Sequence, residues 1–377
     1  MSTSVTDTRH DRPELRRVMR GFIEAGVTGV QLRVDDRRGE WTGSAGLAEL
    51  GGTAAPPVDG LIRIGSTTKT FTAVLVLQLV AEGRIGLDDP VADHLSSFGL
   101  DRRITVRMLL GHTSGIFNFT GEYYEDGTIV PGIVWQGREW VEGRFTARPP
   151  EELVRLALSK APRFEPGADW SYSNTNYVLA RLLVEEVTGR PSGEELRRRI
   201  VDPLGLTGTF QPGDPARPGT LSDLPGPHAH AYYRYEEGGV TETVDVTRQD
   251  PSWISGGGDL VSTTRDLHLF VSALVGGRLL PAPLLAAMYE AHPKAGYGLG
   301  IMVQRTEDGA TVLTHNGGAA GHAALMYSTP DGATTLTAGL NYVDDAGLSL
   351  AGPFARAARE LLETVFGNAG GTGPAAG

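Results

Sequence analysis

The sequence predicts an α/β (α+β) fold, with an antiparallel sheet flanked by helices and a mostly helical insertion, on three observations. Strand-like alternation gathers near the two ends of the chain, at 27–34 and 40–48 and again from 297 to 341. Between about 88 and 250 the pattern changes to short helical runs and long loops rich in Gly, Pro and aromatic residues. The short turns "DDRRGE", "EDG" and "PDG" link neighbouring strand patterns as hairpins, which requires antiparallel pairing. The expected organisation is therefore a sheet domain made of 1–87 plus 251–367, an insertion domain at 88–250, and a disordered tail at 368–377.

Each element follows in order. Residues 13–25 carry a helical pattern, and the runs around 27–34 and 40–48 form the first hairpin. After Pro56-Pro57, "LIRIG" reads as a short strand leading into a helix that opens at Ser66. That helix is apolar on most of its surface (Phe71, Val74, Leu75, Leu77, Leu79), so it is expected to be buried. Helices at 103–111, 150–159 and 174–189 occupy the insertion, where strands are scarce. Strands at 297–305, 311–315, 321–328 and 333–341 precede a closing helix at 352–366.

With 377 residues and 40% hydrophobic content, the chain is long enough for a large core. Its net charge of -11 argues against nucleic acid or an anionic membrane surface as partner, since both need a basic face. The absence of cysteine excludes disulfides, a thiol nucleophile and thiolate metal sites. The first residues, "MSTSVTDTRHDRPELRRVMRGF", lack the apolar stretch of a secretory signal, and no run approaches a membrane span, so a cytoplasmic location is expected.

Lys69, Lys160 and Lys294 are the only lysines among 34 basic residues. Arg keeps its proton at any working pH, whereas a pressed Lys can lose it, so Lys69 is a candidate for work that needs a neutral amine. It stands in "RIGSTTKTF", three residues after Ser66. A nucleotide P-loop would need Lys directly after the glycine, where this chain has Ser66. A plain helix cap at Ser66 or Thr67 is the simpler reading. The chemical alternative is that Lys69, one turn on from Ser66, deprotonates its hydroxyl for nucleophilic attack.

Two further stretches bear on the choice. In "GADWSYSNTNYVLA", Tyr172 can carry a proton between the serine and a leaving group, and Asn174 can hold the acyl chain and the lysine; packing and capping are the bland roles. In "LTHNGGAAGHAA", His315 ends a strand, and Asn316, Gly317 and Gly318 let backbone N–H groups approach a ligand closely. His228 and His230 lack the carboxylate pattern of a metal site. His112 in "GHTSG" reads as a buried structural residue, and "EELRRR" at 194–199 as a solvated helix face.

Ser66-x-x-Lys69, Tyr172-Ser173-Asn174 and His315-Asn316-Gly317, in that order, resemble the three signatures of the serine β-lactamase and penicillin-binding superfamily. "LLGHTSGI", "PLGLTGTF", "SGGGDLVSTTRDL" and "GYGLG" resemble its class C β-lactamase and D-alanyl-D-alanine carboxypeptidase branch over roughly residues 15–366. The resemblance implies a β-lactamase/transpeptidase-like fold and a serine hydrolase or acyltransferase that needs no cofactor or metal. It makes Ser66 the nucleophile, Lys69 its base and Tyr172 the proton shuttle. Asn174 would bind the substrate amide, and His315 would orient Tyr172 by hydrogen bond or charge. The backbone N–H groups of Ser66 and Gly318 would form the oxyanion hole. Trp253 and Tyr123 or Tyr124 match aromatic positions that wall the cleft.

One feature departs from that branch. Its carboxypeptidases resemble each other in gripping a free carboxylate with an Arg and nearby hydroxyls, at positions where this chain has Met302, Asn316 and Gly318. Arg305 falls on the opposite face from Met302. The expectation is therefore an acyl-transfer enzyme for an ester, amide or D-residue peptide, whose acyl-enzyme is resolved by water or by an amine acceptor. The alternatives are a true D-Ala-D-Ala carboxypeptidase or β-lactamase, and a covalent penicillin-binding sensor that does not turn over.

Overall fold

The computed structural model describes residues 11–213 and 222–367; the expected tail at 368–377 and the first ten residues lie outside them. Helix α1 (Pro13–Glu24) leads into strands β1 (Gly29–Asp36) and β2 (Gly39–Gly46). Near the other end come β5 (Met302–Arg305), β6 (Thr311–Thr314), β7 (Gly317–Ala319), β8 (His322–Ser328), β9 (Thr335–Asn341) and β10 (Val343–Asp345). All but β10 join one seven-stranded antiparallel sheet in the order β2-β1-β9-β8-β6-β5, with β7 paired to the start of β8. The expected turns close the β1/β2, β5/β6 and β8/β9 hairpins.

Alternation along the strands divides the core into two layers. Val30, Leu32 and Val34 of β1, with Leu325 and Tyr327 of β8, pack against α1 and the last helix, α7 (Ala351–Phe366). Ala324 and Met326 of β8 face the other way, into a larger core containing α2 (Thr68–Ala81), α5 (Asn174–Thr188) and α6 (Thr264–Val275). Every residue of α2 from Thr68 to Leu77 is buried, and Phe71 stacks on Phe270 of α6 at 3.6 Å between ring centres. Two shorter helices complete this layer, α3 (Val106–Leu110) and α4 (Pro150–Leu158).

Three details differ from expectation. Strands β3 (Tyr232–Glu237) and β4 (Val240–Asp245) form a hairpin inside the stretch read as helical, and β10 extends it by pairing in parallel with β3. The hairpin hid because β4 is mostly exposed and so carries no apolar alternation. Strand β7 begins with two glycines and has no side-chain pattern to read. In "EELRRR", Glu195 is fully buried and ion-paired with Arg198 and Arg199, so this is no solvated face. Among the described residues no helix is long and apolar enough to cross a membrane.

Candidate active site

Ser66 lies in a single 3₁₀ turn, Gly65–Thr67, from which α2 continues. The turn cannot carry a side chain at its first position. Gly65 has φ +48°, and a Cβ there would sit 2.3 Å from the carbonyl oxygen of Gly318. A Cβ on Gly317 would fall 2.5 Å from the Ser66 nitrogen. Backbone therefore meets backbone where β7 crosses the serine turn, which brings the amides of Ser66 and Gly318 to one spot.

The hydroxyls of "STTKTFT" do not cap the helix. Thr67 donates to the His315 carbonyl at 2.9 Å, Thr70 to Gly300 at 2.7 Å and Thr72 to Gly256 at 2.8 Å. They stitch α2 to the loops around the site and leave Ser66 free for chemistry.

Lys69 is fully buried. Its Nζ lies 2.8 Å from Asn174 Oδ1, 2.7 Å from the Gly257 carbonyl oxygen and 3.1 Å from Ser66 Oγ. The two closest partners can only accept. A neutral amine has two N–H bonds for them, and its lone pair is left for the Ser66 hydroxyl. Burial lowers the Lys69 pKa to about 7, against a weaker opposing pull from Asp259. Desolvation is thus what presses the Lys69 amine toward its neutral form. Asp259 also shapes this corner: it accepts from the Gly256 amide at 3.0 Å and Gln211 Nε2 at 2.9 Å, fixing the turn that presents the Gly257 carbonyl.

Tyr172 donates its hydroxyl to Ser66 Oγ at 2.8 Å, and its ring lies 4.9 Å from Lys69 Nζ. Burial pushes the phenol well above its usual pKa, so it stands protonated. His112, at 4.5 Å from the Tyr172 ring, is buried with φ +60°. Its Nδ1 accepts from the Ser173 amide at 3.3 Å and contacts Asn176 Nδ2 at 3.1 Å, holding the Tyr172 stretch in place.

His315 corrects one expectation. Its ring bonds Tyr297 Oη through Nε2 at 2.9 Å and the Asn316 carbonyl through Nδ1 at 3.0 Å, and not Tyr172. Burial, aided by Lys69, lowers its pKa to about 3, so it is neutral and supplies no charge. Tyr297 stands between, edge-on to Tyr172 at 6.4 Å. The hydrogen bond from Tyr297 to His315 and its edge contact with Tyr172 link the two residues through that ring.

A cavity of about 470 Å³ opens on Ser66 and Tyr172, the size of an ordinary small-molecule site. Met302, His315, Asn316, Gly317 and Gly318 line it as expected, but Trp253, Tyr123 and Tyr124 do not. Tyr123 is exposed on a short outer strand and Tyr124 stacks under Arg163, while Trp253 is tied to Gln249. The aromatic wall is instead Trp170, Tyr297, Tyr342 and Phe354. Asn174 sits beneath the cavity, bonded to Lys69 and, through Nδ2, to Thr120 Oγ1 at 3.3 Å.

No Arg or Lys among the described residues lines this cavity, whereas Asp344 and Asp345 do. Arg305 points elsewhere, donating to the Gly309 carbonyl at 3.2 Å. The far wall, residues 342–354, was missed by sequence reasoning because "YVDDAGLSLAGPF" holds no motif. Gly257 and Tyr297 lie inside the phrases "SGGGDLVSTTRDL" and "GYGLG", which mark their neighbourhoods without assigning them a role.

The Beta-lactamase family model matches residues 15–356. D-stereospecific amidohydrolase from Streptomyces sp. superposes with a TM-score of 0.80 at 37% identity, covering 95% of this chain and 99% of that one. D-amino acid amidase from Ochrobactrum anthropi SV3, solved with L-phenylalanine amide, gives 0.76 at 26% identity, covering 93% and 97%. Penicillin-binding protein 4* of Bacillus subtilis (strain 168) is 26% identical over 298 residues, 75% of this chain and 61% of that protein. The chain spans about half the length of the curated relatives it matches, between 47% and 61% for three of them.

Proposed function

The chain belongs to the β-lactamase family, and on that premise we propose that it is a serine acyl-transfer hydrolase for amides and esters of D-configured amino acids or short peptides that present no free carboxylate. The observation that carries the reading is the hydrogen-bonded run from Tyr172 through Ser66 to the buried, near-neutral Lys69.

In this mechanism Ser66 Oγ attacks the scissile carbonyl as its proton moves to Lys69 Nζ. The oxyanion forms against the Ser66 and Gly318 amides, at the positive end of α2. As the tetrahedral intermediate collapses, the Tyr172 hydroxyl gives its proton to the departing amine or alcohol and is reprotonated from Lys69. Water or an amine acceptor then enters by the reverse path, releasing the acid or a new amide and restoring Ser66.

The D preference is supported by the names of the two solved relatives. The exclusion of carboxylate-bearing substrates is supported by Met302 and by a cavity with carboxylates but no Arg or Lys among its described lining. The test is intact-protein mass after brief mixing with a penicillin, a D-Ala-D-Ala peptide and that peptide's methyl ester, beside Ser66→Ala. Acylation or turnover with the ester alone is expected. Equal reaction with the free acid or the penicillin would return the protein to the carboxypeptidases and β-lactamases. A single stoichiometric burst without turnover would make it a covalent receptor.

A further inference from the structure

Asp344 is a carboxylate without a cation. It sits on β10, lines the cavity that opens on Ser66, and accepts the Asp345 amide at 2.9 Å. Its neighbour Asp345 is already committed, to Arg234 of β3 at 2.8 Å and to the Ser349 amide at 3.1 Å. Besides the Asp345 amide, the Gly321 amide donates to Asp344, and the groups facing it from the packed elements are Asp345 itself, the Tyr342 hydroxyl and, on β3, Tyr233. None of them brings positive charge.

The surroundings make that carboxylate costly. Ala323, Leu325, Leu348, Leu350 and Phe354 form an apolar wall around the same cavity. Desolvation and the adjacent Asp345 push the Asp344 pKa up to about 6, so the group is strained as an anion and is eased by a cation. A carboxylate in a largely apolar wall with no cation of its own is uncommon unless something pairs with it. Ser66 and Asp344 line one and the same cavity, together with Gly317 and Gly318, so one bound molecule can touch both.

We propose that Asp344 seats a positively charged nitrogen of the substrate, an ammonium or quaternary ammonium, while Ser66 attacks its carbonyl. The inference rests on the hydrolase reading above and adds a charge preference to it. The nitrogen has two possible sources, the acyl part or the leaving group, and matched esters separate them. The acyl-side pair is D-phenylalanine methyl ester and its N-acetyl derivative. The leaving-side pair is the choline ester of N-acetyl-D-phenylalanine and the corresponding 3,3-dimethylbutyl ester, alike in shape but neutral.

Initial rates are measured for the unaltered protein, Asp344→Asn, Asp344→Glu and Asp345→Asn. In one of the two pairs, Asp344→Asn is expected to lower kcat/KM for the cationic ester by about 30-fold or more while changing its neutral partner by less than about threefold. Asp344→Glu should restore part of that difference. The pair that responds identifies the source of the nitrogen. Equal losses on cationic and neutral esters would reduce Asp344 to a structural role, and no loss on any ester would remove it from recognition; either overturns the inference. Reaction of the neutral esters tests the hydrolase reading separately, since they need Ser66 but no cation. If these fail too, with no mass added at Ser66, the hydrolase reading falls and not merely the seat.

Discussion

The floor and the far wall of the cavity are built on opposite principles. On the floor, Ser66, Lys69, Tyr172 and Asn174 are tied by direct hydrogen bonds, and Lys69 and Asn174 are buried with every polar contact accounted for. The far wall, residues 342–354, is apolar, partly open, and holds a carboxylate with no cation. A floor so connected sets what reaction occurs. On the reading proposed above, a wall with an unmet charge sets which molecule it occurs on, and it can change without disturbing the chemistry.

The largest expected effect lies on the floor. Ser66→Ala should abolish acylation, and Lys69→Met should lower kcat by about 10³-fold or more by removing the base. The displacement from 10.5 to about 7 marks a buried amine held at a cost of roughly 5 kcal/mol at neutral pH, a cost the same substitution removes while leaving Asn174 Oδ1 and the Gly257 carbonyl unpaired, so the effect is read from the pH dependence of stability. The sign is testable. Between about 7 and 10.5 the unfolded chain binds the proton that folded Lys69 lacks, so this residue makes the protein more stable as pH rises through that window. Lys69→Met should flatten the slope. An unchanged slope in Lys69→Met would contradict the assignment of a strained, neutral amine.

The pH profile of kcat/KM for a neutral ester is the next test. In the proposed mechanism Lys69 acts unprotonated, so the rate should rise as pH passes about 7 and then level, because Tyr172 holds its proton to well above the usual range. Tyr172→Phe should cost about 10²-fold or more with an amide and less with an ester whose alkoxide leaves easily. Equal losses on both would remove the proton-shuttle role.

The wall offers a smaller, directional effect. Met302→Arg introduces a guanidinium into a cavity whose described lining has none, next to Asn316 and Gly318. The variant should gain about tenfold in acylation by a D-Ala-D-Ala peptide relative to its methyl ester. An unchanged ratio would mean that the missing cation is not what discriminates against the free acid.

The floor was legible in the sequence and the wall was not, for a physical reason. Ser66 and Lys69 are one helical turn apart, so their chain spacing reports their contact, and Tyr172 and Asn174 sit in a short run with its own signature. The sheet hairpins were legible because alternation accompanies half-burial and tight turns leave their own residues. Asp344 reaches the cavity through a short parallel pairing of β10 with an exposed hairpin, a relation that neither spacing nor apolar period records. Trp253, Tyr123 and Tyr124 were placed by position within a resembling pattern, but none of them lines the cavity. A pattern of residues specifies the backbone path more tightly than it specifies which aromatic ring turns toward the cavity.

His315 lies where floor and wall meet, and it gives the smallest effect and the finest test. Its ring is neutral over any usable range, with a pKa lowered to about 3, and its contact is the Tyr297 hydroxyl at 2.9 Å. If it worked by charge, its titration would appear in the rate; if it works by holding Tyr297 against Tyr172, it would not. Tyr297→Phe keeps the ring and removes the hydroxyl, leaving His315 Nε2 buried and unpaired, which costs about 1–3 kcal/mol of local order. The expected result is a fall in kcat of less than about tenfold with the rising limb still near 7. A shifted limb would show that the His315–Tyr297 contact tunes Lys69 electrostatically, and the separation drawn between a floor for chemistry and a wall for selection would then have to include Tyr297 in the floor.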